Sequence, residues 1–299
     1  MREEIPAVLA GERVDKVVAL LTGLTRSEVA ALVEAGAVLV GGRPVTKRAR
    51  RLLAGEVVEV EVPEPVDVTP PPQPEVPVTV VHEDAHVLVV DKAAGIVVHP
   101  GAGNPDGTLV NGLVARYPDL IGVGEEPARP GIVHRLDAGT SGLLAVARTQ
   151  AAYTSLVGQL AVRAVTRRYW ALVAGTIDAP AGRIEGPIGR DVRDPTRMAV
   201  IEKGRDAVTG YTVLERRGTC TLVECQLETG RTHQIRVHLA AIGHPVLGDP
   251  TYGGPQADGL ERPWLHAHHL AFDHPATGER VAFDSPLPAD LVAVDGSRR

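Results

Sequence analysis

Cysteine is nearly absent from this 299-residue chain, in which Cys220 and Cys225 are the only two. Their spacing matches neither a C-x-x-C motif nor the larger sets of cysteines that crosslink small secreted domains. The sequence therefore argues against a disulfide scaffold and against a cysteine-based zinc site. We expect a protein of a reducing compartment, the cytoplasm.

Aromatic residues are also scarce, at 3%, although hydrophobic residues make up 44% of the chain. The core must therefore be built mainly from Val, Leu, Ala and Ile. No apolar run approaches the roughly 18 residues of a membrane span. The first residues, MREEIPAVLAGERVD, lack the basic and apolar regions of a signal peptide. We expect no membrane partner.

Positive charge is in deficit overall, with a net charge of −6, which argues mildly against nucleic-acid binding. One segment reverses this balance, since residues 12–51 carry eight basic and four acidic residues. The basic residues are Arg13, Lys16, Arg26, Arg43, Lys47, Arg48, Arg50 and Arg51. A local basic excess on an acidic chain predicts a polyanionic partner, although such charges often only keep a surface solvated.

Proline is concentrated in one place, PEPVDVTPPPQPEVP at residues 63–77. Such a segment stays extended and cannot enter a helix or a central strand. We predict a linker over 64–77 between an N-terminal domain, 1–63, and a larger C-terminal domain, 78–299.

The N-terminal domain reads as two short helices and a small sheet. Thr25 followed by Glu28 is a capping box for the second helix, and residues 55–62 alternate Val and Glu as in a half-buried strand. With its basic cluster, this segment resembles the S4 RNA-binding domain, whose helices present basic residues to structured RNA.

The C-terminal domain is dominated by strands. We predict strands at 78–81, 86–90, 142–147 and 168–175, a hairpin around Arg216-Arg217-Gly218, a strand at 270–275, and helices at 108–117 and 149–162. Helices inserted irregularly among strands indicate an α+β fold with a mainly antiparallel mixed sheet. Residues 119–130 are predicted to be a loop.

Three residues could carry chemistry. Asp137 lies in GIVHRLDAGTSG, between a basic pair and small flexible residues. Arg231, in LETGRTHQIRVHL, precedes a helix that Thr232 could cap, where a guanidinium could hold a carboxylate bidentately. The ring of Tyr169, in TRRYWALV, could stack on a nucleobase. Taken singly, each also fits an ordinary role: a turn carboxylate, an arginine paired with a structural acid, and a core tyrosine.

These motifs occur together behind the S4-like domain, in the order VVDKAAGIVVHPG, HRLDAGTSGLL, TRRYWALV, LETGRTHQIRVHL and WLHAHHLAFDHP. The set resembles the RluA-type family of RNA pseudouridine synthases, and within it the type that acts on the large ribosomal subunit, synthase D. The resemblance extends over about residues 10–286. Two small departures are Ala93-Ala94, where a Lys-Pro pair is common, and Arg167, where lysine is frequent.

The resemblance implies a role for each motif residue. Asp137 would be the catalytic aspartate, Tyr169 the active-site tyrosine, and Arg231 the ion-pair partner of the aspartate. Arg135 would enter the RNA where the target base leaves the stack, and His134 and Ile235 would contact the substrate. The expected partner is structured RNA, most directly 23S ribosomal RNA or a pre-ribosomal particle, bound by a monomer without cofactor or metal.

Two other classes of function stay open at the sequence level. One is an inactive synthase that serves as an RNA-binding assembly factor, and the other is a carboxylate glycosidase that uses Asp137 with a second acid. Co-occurrence of Asp137, Tyr169 and Arg231 argues against the first. The basic domain and the lack of a clear paired acid argue against the second. A zinc site at His266, His268 and His269 lacks an acidic or cysteine partner at metal spacing.

Overall fold

The computed structural model describes residues 1–62, 68–101 and 103–294. The chain separates into two compact units, Met1–Asp67 and Val68–Arg299. Residues 63–67, the first part of the proline-rich segment, lie outside the described residues. Its later part forms no helix or strand and makes a turn at 74–76, and it is tied to the second unit because Gln73 N–H donates to Asn111 O at 3.0 Å.

The N-terminal unit is a four-stranded antiparallel sheet with two helices. In chain order its elements are β1 (Arg2–Glu4), α1 (Val14–Thr22), α2 (Arg26–Glu34), β2 (Val38–Val40), β3 (Arg43–Pro44) and β4 (Val57–Val60), and the strand order is β1-β4-β2-β3. The predicted capping box is present, since the Thr25 hydroxyl accepts from Glu28 N–H and the Glu28 carboxylate accepts from Thr25 N–H. Val14, Val18, Val29 and Val58 are fully buried in a core of this unit's own.

The second unit is built on a nine-stranded sheet. The strands of this unit, which include a separate pair beside the sheet, are β5 (Thr79–Glu83), β6 (Val87–Lys92), β7 (Ser141–Ala147), β8 (Thr166–Ala174), β9 (Ala181–Glu185), β10 (Ile188–Arg190), β11 (Met198–Val200), β12 (Val208–Arg217), β13 (Cys220–Leu227), β14 (Leu265–Asp273) and β15 (Arg280–Asp284). The strand order is β5-β6-β7-β14-β8-β13-β12-β9, with β15 on β14, while β10 and β11 form a separate pair. Among the described strands of this sheet only the β7–β14 pair is parallel, so the fold is α+β with a mainly antiparallel mixed sheet, as predicted.

Helices cover both faces of this sheet. They are α3 (Leu109–Arg116), α4 (Gln150–Ala161), α5 (Gln234–Ala241) and α6 (Ala289–Val292). Leu113 of α3 and Leu239 of α5 pack in one core, whereas Leu156 of α4 packs in the other. Because both faces are covered, the strands contain unbroken apolar runs, VLVV in β6 and LLAVA in β7, rather than alternating apolar and polar residues.

None of the helices in the described residues has the length and apolarity to cross a bilayer.

Candidate active site

Asp137 lies on the loop that enters β7. Leu136 before it is buried in the core, and the turn closes where Thr140 N–H donates to Asp137 O at 3.0 Å. Anchored on both sides, the carboxylate points into a cleft, and its side chain is 18% exposed. A partly exposed carboxylate on a fixed loop can reach a substrate that enters the cleft.

Lys92, at the end of β6, holds this loop from behind. The residue is 1% exposed, and its Nζ donates to the carbonyl oxygens of Ala93 and Ile96 at 2.8 Å and of Ala138 at 3.2 Å. Burial lowers the pKa of Lys92 to about 7, although the negative charge of Asp137 acts in the opposite direction and raises this pKa. The lysine therefore links two chain segments that meet behind the carboxylate.

Arg236, on α5, is the cation that contacts Asp137. Its Nη1 lies 3.2 Å from Asp137 Oδ2, while Nε and Nη2 bind the fully buried Asp249 at 2.6 and 2.9 Å. Burial opposes the charge on Arg236, but the two carboxylates outweigh it and raise the pKa of the guanidinium. Asp249 thus fixes the guanidinium, and the remaining nitrogen reaches the loop carboxylate.

This arrangement corrects the predicted ion pair. Arg231 lines the same cleft, but its Nε donates to Asp206 O at 3.0 Å, so it is not the partner of Asp137. The two arginines lie five residues apart on opposite sides of the start of α5. The sequence did contain a signal for Arg236, since this charged residue lies between the apolar residues Ile235 and Val237 of the helix.

The turn before α5 explains why the helix starts later than predicted. His233, not Thr232, occupies the N-cap position, with a left-handed backbone at φ 57°. The buried Gln234 closes the turn, because its Oε1 accepts from Arg231 N–H and from the Thr229 hydroxyl. A left-handed backbone at a non-glycine residue is costly and is found mainly where surrounding contacts enforce it. This turn orients Arg236 toward Asp137.

Tyr169 of β8 lies in the cleft wall and is 5% exposed. Burial raises the pKa of its phenol to about 12; the charge of Arg167 opposes this shift and that of Asp137 adds to it. The phenol is therefore protonated at neutral pH. Its ring belongs to the same core cluster as Leu136 and Ile235, so its position relative to the loop is fixed by packing.

The cleft has a volume of about 670 Å³ and carries mostly positive charge. The charged residues that line it are seven arginines, Arg129, Arg135, Arg163, Arg167, Arg205, Arg231 and Arg236, and three acids, Glu126, Asp137 and Glu228. This excess of cations stands against the net charge of −6 of the whole chain. The cleft is suited to a bulky anionic ligand.

The structure also brings the other predicted substrate contacts to this cleft. His134, Arg135 and Ile235 all line it. Arg135 is exposed, whereas His134 accepts a hydrogen bond from Ala145 N–H through Nε2 at 3.0 Å. Burial and the charge of Arg167 lower the pKa of His134 to about 3, so the ring is neutral.

The basic residues of the N-terminal unit divide into two groups. Three of them are bound by acids: Arg13 by Asp15, Lys16 by Glu12, and Arg50 by Glu56. Arg26, Arg43, Lys47 and Arg48 are exposed and have no acidic partner among the described residues, while Arg51 donates to Gly11 O. The available charge is therefore concentrated on fewer residues than the sequence alone indicated.

The C-terminal histidines lie on β14 and have separate partners. His266 bonds the Ser141 hydroxyl at 2.9 Å, and His268 stacks on Trp170 with ring centroids 4.0 Å apart. His269 pairs with Asp284 at 2.7 Å. In the described part of the chain, no three His, Cys, Asp or Glu side chains are grouped so that they could hold a metal ion.

Comparison with known proteins matches both units to families. Residues 86–241 match the RNA pseudouridylate synthase family and residues 12–58 match the S4 domain. The chain is 49% identical to an uncharacterised RNA pseudouridine synthase of Bacillus subtilis, over 94% of this chain and 92% of that protein. It is 46% identical to ribosomal large subunit pseudouridine synthase D of Xanthomonas campestris, over 96% and 89%.

Solved structures give the same result. Human RNA pseudouridylate synthase domain containing 1 is 32% identical, with a TM-score of 0.56 over 75% of this chain and 86% of that one. Human RNA pseudouridylate synthase domain containing 4 is 27% identical, also with a TM-score of 0.56, over 72% and 90%.

Proposed function

This chain belongs to the RNA pseudouridylate synthase family, and we propose that it isomerises specific uridines of 23S ribosomal RNA with Asp137 as the nucleophile. Family membership makes it an RNA-binding isomerase. The observation that carries the proposed role of Asp137 is its position: a partly exposed carboxylate, in contact with a fixed guanidinium, opens onto a cationic cleft.

The reaction requires little beyond such a carboxylate. The N1–C1′ bond of uridine breaks, a C5–C1′ bond forms, C5 loses a proton and N1 gains one, so no electrons or cofactors are consumed. Asp137 forms a covalent adduct at C1′ of the ribose or C6 of the uracil, which divides the isomerisation into easier steps. Arg236 is the fixed counter-charge that holds the carboxylate in position before attack.

Tyr169 has two proposed roles. Its ring lies in the cleft wall, where it can stack on the detached uracil and prevent its escape. Its phenol is protonated at neutral pH, since burial raises its pKa to about 12. A protonated phenol can act as an acceptor or relay for the C5 proton only after it passes its own proton on. Stacking is therefore its main role, with proton transfer at C5 as an assisting one.

The target uridine must leave its stack to enter the cleft, at a cost of a few kcal/mol. Arg135 is exposed and lines the cleft close to Asp137 in the chain, and it would occupy the vacated place in the RNA. The S4 unit, through exposed residues such as Arg26 and Lys47, would offset part of the cost by binding phosphates. His134 and Ile235 would contact the flipped nucleotide from the cleft wall.

Ribosomal RNA is proposed as the substrate because several relatives are named for it. Three proteins named ribosomal large subunit pseudouridine synthase D are 43–46% identical over about 96% of this chain. Asp249, the carboxylate that shares Arg236 with Asp137, is unsuited to be the second acid of a glycosidase, since it is fully buried and both its oxygens bind Arg236.

The test is to map pseudouridines in total RNA from cells with and without the gene, and to complement the deletion with wild-type protein or Asp137→Asn. Loss of defined 23S sites, restored only by wild-type protein, supports the proposal. Loss of pseudouridines in transfer RNA alone would make transfer RNA, and not 23S ribosomal RNA, the substrate. Unchanged maps with altered ribosome assembly would make the protein an assembly factor instead.

A further inference from the structure

Arg167, on β8, is a buried cation that forms no ion pair with any acid in the described parts of the chain. It is 7% exposed and lies two residues from Tyr169 on the same face of the strand, so both side chains line the cleft. Within residues 1–62, 68–101 and 103–294, its guanidinium makes no ion pair and no hydrogen bond, and its Nε is enclosed without a partner. Its two terminal nitrogens make no hydrogen bond to the described residues either but are not enclosed, and the side chain lines the cleft.

None of the three acids that line the cleft forms an ion pair with Arg167, and each pairs with another arginine. Glu126 pairs with Arg129 at 3.1 Å, Glu228 with Arg163 at 2.9 Å, and Asp137 with Arg236 at 3.2 Å.

The cleft wall is shaped around this side chain. A Cβ on Gly230 would come within 2.8 Å of Arg167 Nη1, so the rim of the cleft passes directly over the guanidinium because residue 230 has no side chain. His134, which also feels the charge of Arg167, is neutral and supplies no counter-charge.

An arginine cannot relieve its burial by losing a proton, because its pKa lies far above neutrality. A buried charge without a counter-ion is strongly unfavourable. If the side chain only filled space, a neutral residue of similar length would do so at a lower cost in folding free energy. The arrangement is instead that of a site completed by an anionic ligand.

We propose that Arg167 binds the phosphate group adjacent to the uridine whose base occupies the cleft, and thereby fixes that nucleotide against Asp137. The phosphodiester is the negatively charged group of an RNA substrate, and a guanidinium fork matches its geometry bidentately. A uracil carbonyl is neutral and would leave the buried charge uncompensated. This inference deepens the proposed function and rests on it.

The experiment uses a stem-loop RNA that the wild-type protein modifies, prepared with a single methylphosphonate on the 5′ or the 3′ side of the target uridine. Arg167→Gln should lower kcat/KM about 100-fold, and Arg167→Lys should recover most of that loss. Arg168→Gln is the matched control, because Arg168 lies next in the chain and is half-buried near Glu224, outside the cleft lining. It should change kcat/KM less than about threefold.

One neutral linkage should cost the wild-type protein a similar factor and cost Arg167→Gln almost nothing more. Such non-additivity identifies the phosphate that the guanidinium contacts. Additive losses at both linkages would overturn the proposal, as would full activity of Arg167→Gln.

A second arm does not depend on turnover. Inorganic phosphate, titrated during thermal unfolding, should stabilise the wild-type protein and Arg168→Gln more than Arg167→Gln. If the wild-type protein modifies no RNA, the proposed function fails, and this arm still decides whether Arg167 is an anion site. Equal stabilisation of all three proteins would then overturn it.

Discussion

Arg236 Nη1 lies 3.2 Å from Asp137 Oδ2, although 99 residues separate them in the chain. The guanidinium of Arg236 does not depend on Asp137 for its position, since two short hydrogen bonds to Asp249 already hold it. Asp137 therefore meets a cation whose position is set by the core rather than by Asp137 itself. Preorganised charge of this kind costs no rearrangement when the reaction begins.

Asp137→Asn should abolish pseudouridine formation and leave RNA affinity nearly unchanged. The amide keeps the shape of the side chain but is a poor nucleophile. Turnover is measured by release of tritium from C5-labelled uridine in RNA, and affinity by filter binding. Because the side chain is partly exposed, the free energy of unfolding should change by less than about 2 kcal/mol. Turnover near the wild-type rate would remove Asp137 from the chemistry.

Arg236→Ala should destabilise the protein by about 3–5 kcal/mol, because it leaves the fully buried Asp249 without a counter-charge. It should also suppress turnover. Arg231→Ala is the matched comparison, since Arg231 lines the cleft and, among the described residues, its side chain bonds only the Asp206 carbonyl through Nε. Its unfolding free energy should fall by less than about 1.5 kcal/mol. Urea denaturation measures both, and equal losses would contradict the assigned ion pair.

Lys92→Met should lower the unfolding free energy by about 3 kcal/mol or more, since three carbonyl oxygens lose their donor in a buried place. The Ala138 carbonyl is next to Asp137, so turnover should fall more steeply than RNA affinity. Lys203→Met, at an exposed position, is the control and should stay within about 0.5 kcal/mol. Unchanged turnover in a folded Lys92→Met protein would show that the loop holds its shape without this lysine.

Acid should destabilise the protein partly through His134. Burial and Arg167 lower the pKa of this histidine to about 3 in the folded state, against about 6.5 in the unfolded chain. The unfolded state therefore binds the proton first, and stability falls as pH drops through 6.5 toward 3. His134→Gln should flatten the slope below pH 6 by up to about 1.4 kcal/mol per pH unit. Denaturation at several pH values tests this, and an unchanged slope would refute it.

Removal of residues 1–63 should leave the second unit folded, because the core of the second unit contains no residue of the N-terminal unit. Affinity for structured RNA should fall, and the log–log salt slope should weaken by about 0.7–0.9 for each lost phosphate contact. Activity on a large folded RNA should drop more than on a short stem-loop that exposes the uridine. Equal losses on both RNAs with an unchanged slope would mean that the unit is structural.

Local sequence determined most of the elements around the site. The apolar run at 86–90 became β6, and the threonine-capped segment at 149–162 became α4. The hairpin predicted around Arg216-Arg217-Gly218 is formed by β12 and β13, with its turn at Gly218 and Thr219. The motif around Asp137 was also readable, since small residues after the carboxylate mark a loop. Periodicity, caps and turn residues act over a few positions, which is why a single sequence reveals them.

The partner of Asp137 was decided only by the tertiary structure. Arg231 and Arg236 are chemically identical and five residues apart, so local pattern cannot choose between them. The choice depends on the left-handed turn at His233, which sets where α5 begins, and on Asp249, which fixes the guanidinium. The unpaired burial of Arg167 was likewise invisible, because it depends on which acids other arginines have taken. Ion pairs join segments far apart in the chain, and their geometry exists only once the core has packed.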